Sequence, residues 1–239
     1  MREGTAVERA IGVEVRSSLG RQVIAVIAKE VRSELRQRRG FALVLLSVGI
    51  VVGILAFALG EQLLSGEMAG AVLWVVFFFG LTPALSRSFV AEEERGTRLL
   101  LHLMSSPAAI YWGKLTYNGA TGVLTNAVGC AAVLLVLPVP AVVNPGGLCV
   151  LVVLAALGFA TVLTLLSAVV AVAHHRGVLL PILGFPLLVP VVLPGVEAAR
   201  MVFVQAGWQG IVPLFQLMLA YAGSLAVVGF WLFEWVWQE

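Results

Sequence analysis

Six apolar runs, each long enough to cross a bilayer, constrain this 239-residue chain more than any other feature. They lie at about residues 41–60, 68–88, 115–137, 148–173, 178–194 and 212–237. A hydrocarbon layer about 30 Å thick is spanned by about 20 residues of helix. Lipid offers the backbone no hydrogen-bond partner, so each crossing must bond to itself, and for runs of this length that means α-helix. Apolar residues make up 60% of the chain and charged residues 12%, where soluble domains carry about 25% charged. The expected fold is therefore all-α and polytopic, with residues 40–239 forming a six-helix transmembrane domain and no soluble catalytic domain. The net charge of +2, with basic residues gathered at the amino end, makes no case for a nucleic-acid partner.

Ahead of the first span, residues 1–20 show no sustained period and read as a mobile tail. Over 21–39 the pattern changes: Ile24, Ile27, Ala28, Val31 and Leu35 recur on one narrow helical face, flanked by Lys29, Arg32 and Arg36 on one side and Glu30 and Glu34 on the other. That spacing predicts an amphipathic helix lying on the membrane interface. Of the fifteen Lys and Arg residues, all but Arg200 fall on one side of a six-span topology. By the positive-inside rule that side is cytoplasmic and holds both termini. Trp74 and Trp208 are expected near the outer interface, and Trp112, Trp231, Trp235 and Trp237 near the inner one.

Between spans two and three, Ser86 to Lys114 is the long charged interruption, carrying Glu92, Glu93, Glu94, Arg95, Gly96, Thr97, Arg98 and Lys114. Charges at this density are costly in hydrocarbon, so the stretch is expected in water, as a grip for a soluble partner. Polar residues within the spans are few and uncharged, which argues against a proton- or ion-coupled carrier. His102, His174 and His175 have no acidic or Cys partner spaced to complete a metal shell, so no metal site is expected. No nucleophile set or phosphate-binding loop appears either, and the chain reads as a non-enzyme that does not itself hydrolyse ATP.

The fifth span carries Pro181, Pro186, Pro190 and Pro194, each of which removes a backbone donor and crowds the preceding turn. A kinked or partly unwound helix facing the protein interior follows as the expectation, with these prolines as hinge or path-lining residues. Thr161, Thr164 and Ser167 of span four are the candidate donors to its freed carbonyls.

The segment His174-His175-Arg176-Gly177-Val178-Leu179-Leu180-Pro181, continuing through Phe185-Pro186-Leu187-Leu188-Val189-Pro190-Val191-Val192-Leu193, resembles the signature Arg-Gly-Gly-x-Leu-Leu-x-Pro…Leu-Pro-Leu-x-Val-Pro-Val of the CcmB haem-exporter permeases of cytochrome c maturation. Phe89-Val90-Ala91-Glu92-Glu93-Glu94-Arg95-Gly96-Thr97…Ser106-Pro107 is similar to that family's acidic loop, and more loosely to type II ABC exporter permeases. Arg98 stands where the family usually has Leu.

The resemblance implies a permease subunit in the bacterial inner membrane. It would couple ATP hydrolysis in a partner ABC subunit to movement of its own helices, with haem as substrate rather than bound cofactor. Glu92, Glu93, Glu94, Arg95, Gly96, Thr97, Arg32 and Arg36 would then dock the ATPase. Further maturation membrane subunits, a periplasmic haem chaperone acting indirectly, a second copy of the chain and the lipid bilayer complete the implied partners. Alternatives are a general exporter permease for a drug, lipid or glycan, or a non-transporting scaffold of the maturation complex.

Overall fold

The computed structural model describes residues 18–37, 39–85, 105–172 and 176–238. All regular structure among them is helical: α1 (Leu19–Gln37), α2 (Arg39–Leu59), α3 (Gly66–Leu85), α4 (Pro107–Val136), α5 (Pro145–Val172), α6 (Arg176–Val204) and α7 (Ile211–Gln238). Helices α2 to α7 each contain a window long and apolar enough to cross a membrane.

Two boundaries differ from the sequence expectation in ways that matter. Helix α4 starts at Pro107, well ahead of 115, because Ser106 caps it: the Ser106 hydroxyl accepts from Ala109 N at 3.3 Å, and Pro107 supplies a preset φ at the first turn. At 30 residues α4 is about 45 Å long, more than a bilayer core needs. Helix α6 runs on to Val204 instead of ending near 194. It stays helical through all four prolines, so the expected partial unwinding is absent. Pro186, Pro190 and Pro194 recur every four residues, which puts their missing donors along one stripe and leaves the bonds around the rest of the helix intact.

Helix α5 is the hub. Its spanning window is 78% buried, against 17% for α2, and α4, α6 and α7 pack around it. Phe159, Ala155, Ala160 and Leu163 lie in its core face. Glycines permit the closest approach nearby. A side chain at Gly70 of α3 would strike the backbone of Ala199 and Arg200 in α6, and one at Gly195 would overlap the Trp74 ring. Trp74 is 3% exposed and stacks on Phe159 at 6.0 Å, so it is a core residue and not an interface anchor. Trp208, by contrast, is exposed.

The end of the bundle away from α1 is stapled by its loops. Leu64 N donates to Pro138 O at 2.9 Å, and Val143 N and Asn144 N both donate to Val202 O. Asn144 Oδ1 also accepts from Gly147 N at 2.8 Å and so caps α5. Gly60 leaves α2 with φ +61°, a conformation that favours glycine.

Candidate functional site

At the opposite end, α1 is clamped to the first turns of α4. Gln22 Oε1 accepts from Ser106 N at 3.1 Å and from Ser106 Oγ at 2.9 Å. One turn on, buried Val26 sits against Gly113, where an added methyl would meet Val26 Cγ1 at 2.8 Å or less. A further turn on, Glu30 Oε1 accepts from Lys114 Nζ at 2.7 Å. The contacts follow the same order along both helices, so α1 travels beside α4 rather than lying apart as a free surface helix. Its packed face is Gln22, Val26 and Glu30. The stripe expected from the sequence points elsewhere: Ile24, Val31 and Leu35 are 66%, 41% and 72% exposed.

Lys114 corrects the sequence reading directly. It does not belong to a solvated loop, because it lies in α4, its side chain 1% exposed against 14% for Glu30. An ammonium can be buried here because a carboxylate meets it, as buried charges require.

From Lys114 a polar seam descends between α4 and α5. Asn118 Nδ2 donates to Thr164 Oγ1 at 2.7 Å, both residues being buried. Two turns further, Asn126 Nδ2 donates to Val152 O at 3.2 Å, while its buried Oδ1 has no partner. Of the three hydroxyls expected to serve α6, Thr164 meets Asn118 of α4 and the other two bond within α5: Thr161 donates to Gly158 O, and Ser167 to Thr164 O. Intrahelical carbonyls three residues back are nearer than any neighbouring helix, and they win.

Tyr221 of α7 does reach α6, its Oη donating to Leu187 O at 2.8 Å, but that carbonyl is not one the prolines free, because the residue four positions on is Val191. The proline stripe turns from outside to inside along α6: Pro186 is exposed, Pro190 half-buried and Pro194 buried. Among its described residues the helix faces the interior through Gly184, Leu188, Val191, Ala198, Ala199 and Val202, whereas Ile182, Phe185 and Leu193 are exposed. Pro181 lies in the helix, but its side chain is outside the described part. Near the far end Arg200 bridges Glu197 at 2.6 Å and Glu67 of α3 at 2.9 Å, within the helical extension that sequence reading cut off.

Of the remaining expected site residues, Arg32 and Arg36 are exposed on α1. Glu92, Glu93, Glu94, Arg95, Gly96 and Thr97 lie outside the described residues, as do His102, His174 and His175. Among the described residues no group of three His, Cys, Asp or Glu side chains gathers as a metal site. The Gln22–Ser106, Glu30–Lys114 and Asn118–Thr164 pairs were not foreseen. One signal was available: Ser106-Pro107 is a helix-start pair, and moving the start of α4 there places Lys114 on a helix four residues before Asn118.

Among the described residues the arrangement consists of one ion pair and a run of amide and hydroxyl contacts. Mechanically, it binds α1 to the start of α4 and links that segment through polar contacts to the α5 hub.

Comparison with known proteins agrees with this architecture. The model of the CcmB protein family matches residues 21–233, which reaches from α1 into α7. Heme exporter protein B of Rhodobacter capsulatus is 30% identical over 213 residues, covering 86% of this chain and 94% of that protein. Heme exporter protein B of Bradyrhizobium diazoefficiens is 30% identical over 199 residues, covering 75% of this chain and 82% of that one. No solved structure matches. A family match across all seven helices, carried on a six-span bundle with its amino-terminal helix clamped in place, makes this chain a member of the CcmB protein family.

Proposed function

We propose that this chain is the permease subunit of an ABC complex that exports or delivers haem for cytochrome c maturation. The observation that carries the reading is the family match over residues 21–233, together with relatives named Heme exporter protein B that align over most of their length. Haem is the cargo, and ATP is hydrolysed by a partner subunit, a reading supported by the family resemblance and by a sequence with no phosphate-binding loop. The α1 end faces the cytoplasm of a bacterial inner membrane, as its concentration of Lys and Arg supports. There Glu92, Glu93, Glu94, Arg95, Gly96 and Thr97 dock the ATPase, where complementary charge fixes register more than affinity.

Coupling then follows a physical route. The docking stretch leads into α4 at Ser106, and Gln22, Val26 and Glu30 oblige α1 to move with it. The Asn118–Thr164 bond passes the displacement to α5, against which the hinge helix α6 packs. Two copies of the chain assemble with two ATPase subunits, alongside further maturation membrane proteins and a periplasmic haem chaperone that acts indirectly.

Deletion of the gene in its native host, with complementation by the tagged chain, tests this reading. Loss of covalently haem-bearing c-type cytochromes, restored on complementation, with an ABC ATPase co-purifying on the tag, is the expected result. Undiminished cytochrome c maturation in the deletion strain would overturn it.

A further inference from the structure

Helix α1 carries more than the clamp explains. Its packed face uses Gln22, Val26 and Glu30, and two features remain on the outer side. One is the apolar stripe of Ile24, Val31 and Leu35, exposed at 66%, 41% and 72%. The other, bordering it, is a shallow cleft lined by Lys29, Arg32, Ser33 and Arg36, three cations around a hydroxyl. Glu30 Oε1 meets Lys114 Nζ at 2.7 Å and Lys29 Nζ of the cleft at 3.2 Å, so the exposed Arg32 and Arg36 carry most of the cleft's outward charge.

We infer that this face of α1 binds the headgroup of an anionic phospholipid, with the phosphate in the Lys29–Arg32–Ser33–Arg36 cleft and the acyl chains along Ile24, Val31 and Leu35. A free anion would leave the apolar stripe in water. A lipid satisfies both features at once, since basic residues beside an apolar helical stripe place charge at the phosphates and apolar atoms among the acyl chains. Location favours the same occupant. Only residue 38 separates α1 from α2, the least buried of the spanning helices, so the stripe adjoins a surface that faces lipid. A protein partner docking on Arg32 and Arg36 is the competing occupant. The inference rests on α1 alone and does not depend on the cargo.

The test uses the full chain purified with its co-purifying subunits in mild detergent. Phosphatidylglycerol, phosphatidylcholine or soluble glycerophosphate is titrated in, with unfolding temperature and retained lipid as readouts. Phosphatidylglycerol should stabilise, phosphatidylcholine much less, and glycerophosphate not at all. In Arg32→Gln/Arg36→Gln, phosphatidylglycerol affinity should fall roughly 30-fold, equivalent to about 1 kcal/mol for each basic residue. Arg32→Lys/Arg36→Lys should keep most of the affinity, which separates charge from misfolding. Equal stabilisation by both lipids, an undiminished response in the Gln variant, or loss of ATPase co-purification with lipid response intact would each overturn the inference, the last by assigning the face to a protein. Cytochrome maturation is not a readout here, so failure leaves the haem-export reading untouched.

Discussion

Lys114 Nζ of α4 and Glu30 Oε1 of α1 lie 2.7 Å apart, with the lysine side chain 1% exposed. Breaking a buried pair from one side costs more than the pair itself contributes, because a charge stays behind in a poor solvent. Glu30→Ala should cost about 3 kcal/mol, and expose α1 to protease before the transmembrane core unfolds. Replacing both residues by apolar ones of similar length, Lys114→Met with Glu30→Leu, should recover most of the loss. Thermal unfolding in detergent, read beside limited proteolysis, distinguishes these outcomes. A single variant as stable as the parent chain would mean the clamp depends on Val26 and Gln22 alone.

Gly70 and Gly195 are both expected to reject alanine, for different reasons. At Gly70 the added methyl meets the α6 backbone at Arg200, which cannot rotate away. At Gly195 it meets the Trp74 ring, which can be changed. Each substitution should destabilise by about 1–3 kcal/mol through overpacking. Trp74→Leu should rescue Gly195→Ala in part and leave Gly70→Ala unimproved, as melting temperatures of the double variants will show. The indole N–H makes no hydrogen bond, so its removal breaks none.

Asn118→Ala and Thr164→Val each remove one side of the buried bond between α4 and α5. In membrane proteins such bonds couple by about 0.6 kcal/mol on average and up to about 1.7. A double-mutant cycle on unfolding free energy should give a value near the upper figure, since both groups are buried. A coupling of zero would remove this bond from the proposed route between the α1 end and the hub.

Pro186 and Pro190 lie in the half of α6 that passes from exposed to half-buried. Replacing both with Ala restores two backbone donors, so thermal stability should be unchanged or higher. If α6 acts as a hinge, cytochrome c maturation should fall in the same variant. Normal maturation at parental expression would make the prolines purely structural.

Reversing Glu92, Glu93 and Glu94 to Lys should detach the ATPase subunit or uncouple its turnover while the permease stays in the membrane. The check is co-purification plus ATPase rate in reconstituted complex. Both unchanged would move the docking surface away from this stretch.

The six spans were legible because lipid imposes a simple rule: about 20 apolar residues in a row have one low-cost conformation. Family kinship was legible too, in the proline-rich segment after Arg176 and the acidic stretch before Ser106. Helix ends were read less well. Lys114 looked like loop because a lone cation argues for water, and Glu197 and Arg200 looked like the end of α6 for the same reason. In the folded chain each of these charges meets an opposite one, Glu30 for Lys114, and Arg200 for Glu197 and Glu67.

By itself, then, the sequence determined how many helices cross, their approximate extents and the kinship of the chain, since all of these depend on local hydropathy and motif. Only tertiary structure decided which helix is the hub, which face of α1 packs on α4, where the hydroxyls of Thr161, Thr164 and Ser167 go, and that Trp74 is core. Apolar periodicity cannot separate a face turned to lipid from one turned to protein, because both solvents are apolar. What separates them is the fit of Val26 to Gly113, Trp74 to Gly195 and Lys114 to Glu30, pairs that come from distant parts of the chain and meet only once it is folded.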